Sequence, residues 1–325
     1  MQIKKGVPVA ASDALGAFAA AIPRGVRTWL RAVFRDVNDK LSVRVSTIPT
    51  AHEPTLDMAF VDALNGRAYP ASIPGGWTIR LDTHYLGGLR HWQQWEIADI
   101  GVLIMFRKHG KLIGSKTALL QSKRLYPQEQ ALDEDEIDDY VIGFARLYKD
   151  TIGSAILQPR TFSLTKQSAY RALSVDDEQY KAIEAYETST KVPVFYLLYN
   201  PWTLPWSVTL PIVGSPKKPS SKSVGTRVVP AARMRGALTG RPAGYHPTYD
   251  NLASNAPPEF RDAHTGGWRL EHFIVDRLLS CKDGHRNPSM SIDAGLERVF
   301  YRRSGPIAAA LSITIDSGDA DPDLR

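Results

Sequence analysis

Glu96-Ile97-Ala98-Asp99-Ile100-Gly101-Val102-Leu103-Ile104-Met105-Phe106 passes through Arg107-Lys108-His109-Gly110-Lys111 and re-emerges as Thr117-Ala118-Leu119-Leu120-Gln121-Ser122-Lys123-Arg124. Two apolar runs joined by a short, polar, glycine-containing connection predict adjacent antiparallel strands. Period-2 alternation puts Gln121 and Lys123 on one face of the second strand, and a hairpin brings Asp99 near both. Ionisable groups beside apolar strands are costly to bury unless paired or bound to a cation. A carboxylate, an amide oxygen and an ammonium converging on one point form a site for a hard cation and the water it activates.

The neighbouring segments supply further elements. In His52-Glu53-Pro54-Thr55-Leu56 through Leu64, the apolar residues Leu56, Phe60 and Leu64 recur at helical spacing. Pro54 suits a first helical turn, so Glu53 lies at the helix start. Trp77 to Leu81 reads as a strand. Lys166 to Thr190 reads as a helix with Tyr170, Leu173, Tyr180, Ile183 and Tyr186 as apolar positions, and Val192 to Tyr199 as a buried strand.

Asp99 followed by Gln121-x-Lys123 across consecutive strands resembles the PD-(D/E)XK nuclease superfamily, in the variant where Gln replaces the second acid. The order helix, three strands, helix, strand over roughly residues 50–200 is that family's core order. The chain departs from the pattern in that Ala98 precedes the acid, so the PD dipeptide is absent. The resemblance implies an α/β fold with a restriction-endonuclease-like core, a mixed central sheet flanked by helices. It implies Mg2+ or Mn2+ held by Asp99, Gln121 and Glu53, with Lys123 orienting the attacking water or stabilising transition-state charge. It further implies a DNA endonuclease, with RNA left open, of the kind that serves as an effector of anti-phage defence under restraint by a regulatory partner or homo-oligomer. The alternative is a nucleic-acid-binding or structural subunit of a defence complex that keeps the fold with a weakened site.

Each residue also has a role without chemistry. Lys123 and Gln121 would serve on the solvated face of an edge strand, where Lys guards against aggregation. Glu53 in a first helical turn favours the macrodipole. Glu96 and Asp57 compete with Glu53 as the auxiliary carboxylate, and Asp82 and His84 could edge a cleft.

At 325 residues and 43% apolar content the chain can bury a substantial core. One cysteine, Cys281, excludes an internal disulfide and a cysteine-cluster zinc site, in keeping with a cytoplasmic protein, and its surroundings place it on the buried side of a helix. The alanine-rich start mimics a signal peptide, but Asp13 interrupts it and no run of membrane length follows. Gly110 to Thr117 only superficially resembles a phosphate loop, because Ser115 stands where the motif needs Gly.

The net charge of +6 nudges the chain towards polyanionic partners. Lys217, Lys218, Lys222 and Arg227, followed by Arg233, Arg235 and Arg241, make a basic, Pro/Ser-rich stretch that reads as a loop tracking a phosphate backbone. The acidic run 133–139 reads as a helix start. Beyond residue 200, Gly267 to Ser280 reads as a helix and Ile307 to Ile315 as a terminal strand. The expected layout is an N-terminal helical extension over 1–50, a nuclease-like core over 51–200, and over 201–325 an elaboration packed on the core or a small second domain.

Overall fold

The computed structural model describes residues 10–65, 70–85, 97–127, 160–210, 212, 224–254, 266–287 and 307–318. Helices α1 (Ala10–Ala21) and α2 (Arg24–Thr47) come first. Val26, Leu30, Val33, Phe34, Val37, Leu41 and Val45 recur at helical spacing along α2 and all are buried. Helix α3 (Glu53–Asn65) buries Leu56, Phe60 and Leu64, as their spacing predicts. Next come β1 (Ala71–Ile73), β2 (Trp77–Tyr85), β3 (Ala98–Lys108) and β4 (Lys111–Arg124).

The β3–β4 hairpin forms as the alternation predicts, from Ile100 opposite Leu120 to Lys108 opposite Lys111. Its turn is tighter than the polar segment suggests. His109 and Gly110 alone make it, at φ of 51° and 75°, the left-handed pair that a two-residue hairpin of matching twist requires. The Asp316 carboxylate accepts the Gly110 N–H at 3.0 Å and fixes the turn.

The chain continues through β5 (Arg160–Leu164), α4 (Glu178–Thr190), β6 (Val194–Tyr199), β7 (Trp206–Leu210), β8 (Arg227–Pro230), α5 (Ala231–Leu238), α6 (Tyr249–Ser254) and β9 (Trp268–Arg269). Then come α7 (Leu270–His272), which runs on as a π-helix over Phe273–Leu278, β10 (His285–Asn287) and β11 (Ile307–Ser317). Strands β5 and β7 pair with each other, and the remaining strands form one mixed sheet in the order β1-β2-β11-β3-β4-β6-β8-β9, with β10 also on β4. The fold is mixed α/β, a large sheet flanked by helices.

Three sequence expectations change. The helix expected from Lys166 starts only at Glu178, because Asp176 adopts a left-handed φ of 65° and Asp177 caps the helix by accepting the Tyr180 N–H at 2.6 Å. The helix expected from Gly267 gives way at its start to β9, which pairs with β8. A Cβ on Gly267 would lie 2.8 Å from the Val228 carbonyl oxygen, a backbone approach that only glycine permits. Cys281 is buried but lies just past the helical segment, at φ 58°.

Strand β11 joins the sheet at its centre, parallel to β3 and antiparallel to β2. Ile307, Ala309, Leu311, Ile313 and Ile315 alternate along it and all are buried. No described helix is long and apolar enough to cross a membrane. The acidic run 133–139 lies outside the described residues.

Candidate metal centre at the open end of the hairpin

The β3–β4 ladder ends at Ile100 and Leu120, and continuing its register by one residue sets Asp99 opposite Gln121. The two side chains meet there: Gln121 Nε2 donates to Asp99 Oδ2 at 2.7 Å. The Ser122 backbone N–H, past the last ladder pair, donates to the same oxygen at 2.5 Å. Asp99 thus supplies from its side chain the acceptor that the neighbouring strand no longer provides. Its Oδ1 accepts no hydrogen bond from the described residues.

This contact also fixes the Gln121 amide. Reversing it would turn a carbonyl oxygen onto a carboxylate, so Nε2 faces Asp99. Among the described residues, Gln121 Oε1 is left buried without a hydrogen-bond partner, and Gln121 is only 3% exposed. A buried carbonyl oxygen in that condition costs free energy unless something else binds it.

Lys123 shares the face of Gln121 by alternation, and β6 flanks both, with Gln121 beside Tyr196 and Lys123 beside Leu198. Its ammonium donates to Gln179 Oε1 at 2.8 Å, in the first turn of α4. Burial pushes the Asp99 carboxyl up to about 6, the Lys123 ammonium and the Ser122 N–H oppose the rise, and Glu53 adds to it.

Helix α3 meets the opposite side of this strand end. Glu53 accepts the Arg124 N–H at 3.1 Å and the Tyr126 hydroxyl at 3.1 Å, and makes no hydrogen bond to Asp99, Gln121 or Lys123. Its charge nevertheless reaches Asp99 and Asp57. Asp57, one turn along α3 and 5% exposed, lies closer to the centre of the network. Its Oδ1 accepts from the Ser122 hydroxyl and from the Tyr199 hydroxyl at 2.6 Å. Burial first and the Asp99 charge second hold its carboxyl well above the usual range, against both hydrogen bonds.

The hairpin therefore unites Asp99, Gln121 and Lys123, with Glu53 a neighbour across the strand end. Sequence reasoning ranked Asp57 below Glu53 and missed Ser122, Tyr126, Gln179 and Tyr199. The i, i+4 spacing of Glu53 and Asp57 was the available signal, since it places both acids on one helix face. Glu96 lies outside the described residues. Asp82 pairs with Arg80 at 2.8 Å.

The basic-loop expectation needs a correction. Arg227 is 1% exposed and sits in β8 opposite Leu198, because Val228 and Val229 carry the segment into the sheet. Its guanidinium donates to the Gly267 carbonyl at 3.4 Å. Arg233 and Arg235 lie on α5 rather than a loop, and Arg235 pairs with Glu187 at 2.7 Å. Lys217, Lys218 and Lys222 lie outside the described residues.

The donor set suits a hard cation. Asp99 Oδ1 and Gln121 Oε1 could serve as oxygen ligands, and Mg2+ commonly takes one or two protein ligands and keeps water for the rest. Among the described residues, no three His, Cys, Asp or Glu side chains converge as ligands, so Glu53 does not complete a carboxylate cluster with Asp99 and Asp57. No family model matches the chain, and neither the curated proteins nor the solved structures give a significant match.

Proposed function

We propose that this protein is a phosphodiesterase dependent on Mg2+ or Mn2+ that hydrolyses DNA, built on a restriction-endonuclease-like core. The buried Gln121 Oε1, without a hydrogen-bond partner among the described residues, on the amide whose Nε2 donates to Asp99, carries the reading. Asp99 and Gln121 would hold the cation, and the cation would lower the pKa of its water and neutralise charge on the scissile phosphate. Ser122 N–H and Gln121 Nε2 orient Asp99 by occupying Oδ2. Lys123, on the same face, would hold the attacking water or stabilise negative charge as it develops on phosphorus. Attack by that water forms a P–O bond and breaks the one to the leaving sugar oxygen. Glu53 acts at longer range, through its charge. By resemblance alone, the role would be destruction of foreign nucleic acid in anti-phage defence, held in check by a protein partner or self-association.

One observation favours the weakened-site alternative, a nucleic-acid-binding or structural subunit. Lys123 and Glu53 are both engaged by other residues, Gln179 and Tyr126 respectively. Titration with Mn2+ followed by plasmid cleavage separates the two. The enzyme binds one Mn2+ that Asp99→Ala abolishes, and it cleaves in a Mn2+-dependent manner. A chain that binds duplex DNA but neither binds Mn2+ nor cleaves is the alternative.

A further inference from the structure

Ser122 is bonded in two directions. Its N–H donates to Asp99 Oδ2 at 2.5 Å, and its hydroxyl donates to Asp57 Oδ1. The Ser122 hydroxyl also opposes the rise of the Asp99 carboxyl, and the Asp99 charge in turn raises Asp57, so this one residue ties an acid on α3 to an acid on β3. Tyr199, on β6, donates to the same Asp57 oxygen at 2.6 Å and braces the carboxylate from the neighbouring strand.

The residue type at position 57 is the costly choice. An asparagine carbonyl would accept both hydroxyls without burying a charge, whereas the aspartate is 5% exposed and makes no ion pair or hydrogen bond to a cationic side chain among the described residues. Its hydrogen-bond donors are two neutral hydroxyls. A buried carboxylate is tolerated when a countercharge offsets its desolvation. On the metal-centre reading, that countercharge would be the cation held by Asp99, to which Ser122 links Asp57.

We propose that Asp57 is a positioning residue of the Asp99 centre, acting in two ways: through Ser122 it fixes the N–H that orients Asp99, and its charge completes the countercharge for a divalent cation. The idea rests on the metal-centre reading above. Gln121 contributes no charge, so Asp99 alone leaves a divalent ion half-neutralised among the direct ligands, and Asp57 supplies the missing negative charge from one layer further out. Carboxylates behind the ligands commonly tune metal affinity by about 10- to 100-fold.

The test combines two readouts on the full chain. The Ser122 amide is followed by NMR with 15N-serine labelling and assigned as the resonance that Ser122→Thr removes. Mn2+ affinity is followed by calorimetry. In Asp57→Asn the amide should stay strongly downfield, since the acceptor survives, while Mn2+ binds about tenfold more weakly. In Asp57→Ala the amide should move upfield and exchange faster, with a larger loss of affinity. Ser122→Ala should weaken Mn2+ binding and Ser122→Thr, which keeps the hydroxyl, should restore it; this pair also serves if Asp57→Ala fails to fold. An unmoved Ser122 amide in Asp57→Ala overturns the positioning role, and wild-type Mn2+ affinity in Asp57→Asn overturns the countercharge. Absence of Mn2+ binding by the wild-type chain overturns the metal-centre reading and the countercharge with it, while the amide readout still decides the link from Asp57 to Asp99.

Discussion

Gln121 and Lys123 are two residues apart on one strand face, yet their partners differ: Gln121 turns to Asp99 and Lys123 to Gln179. On the proposed reading, Lys123→Ala should lower cleavage by about 100-fold or more while changing DNA affinity only a few fold; wild-type single-turnover rates would remove it from the chemistry. Gln121→Glu brings a second carboxylate against Asp99. Without divalent ions it should lower the melting temperature, and Mn2+ should restore it and bind more tightly than to the wild type. The raised carboxyls give a pH signature of definite sign. Asp99 is pushed up to about 6 and Asp57 well above its usual range, so above about pH 4 these two groups hold more protons in the folded chain than in the unfolded one. Stability in EDTA should accordingly fall as pH rises from about 4 through 6, and Asp57→Asn should flatten that fall. A melting temperature in EDTA that rises over this range would contradict the assigned environments. The pairing of Asp99 with Gln121 and Lys123 was legible because alternation and a hairpin suffice to predict it. The Ser122 link was not, because it depends on which backbone N–H beyond the end of the ladder to β3 the Asp99 carboxylate reaches.

Among the elements, the hairpin, α3 and β6 were readable from apolar spacing, since each buries a continuous face. Helix α4 was read too long: Ser174 and Asp177 form a local turn, with the Ser174 N–H donating to Asp177 at 3.2 Å, and that competes with helix through side-chain hydrogen bonds. Glu53 and Glu96 remain rivals. Glu53→Gln should lower activity with partial recovery at higher Mn2+, because it removes charge near Asp99 while keeping an acceptor for Tyr126. If Glu96→Gln shows that behaviour and Glu53→Gln does not, the auxiliary carboxylate precedes β3. Strand β11 was recognised as a strand, but its place between β2 and β3 was invisible, as alternation reports burial and not neighbours. Ile313 lies fully buried in it, and Ile313→Ala should cost about 2–5 kcal/mol. That loss should appear in one cooperative denaturation transition, since β11 shares its sheet with β2, β3 and β4; a separate early transition would mean that the C-terminal part unfolds alone.

At the scale of the whole molecule, the question is where a polyanion would lie, and Arg227 shows how charge counted along a sequence misleads. The arginine belongs to β8 and is 1% exposed, with burial lowering its pKa to about 10. Arg227→Ala should act on folding rather than on binding, at a cost of about 3 kcal/mol or more, the usual result of removing one member from a buried polar network. Lys217, Lys218 and Lys222 stand in a Pro- and Ser-rich stretch whose composition argues against a core role. A triple Ala variant of these lysines should keep the wild-type melting temperature. If each lysine neutralises one phosphate, the slope of log affinity against log salt should become shallower by about 0.9 per lysine on duplex DNA, and equally for unrelated sequences. Binding measured between low and moderate salt decides between two surfaces. A shallower slope with unchanged folding assigns the backbone contacts to this stretch. An unchanged slope moves them to other cations, with Arg233 on α5 and the arginines of 261–303 next to be substituted.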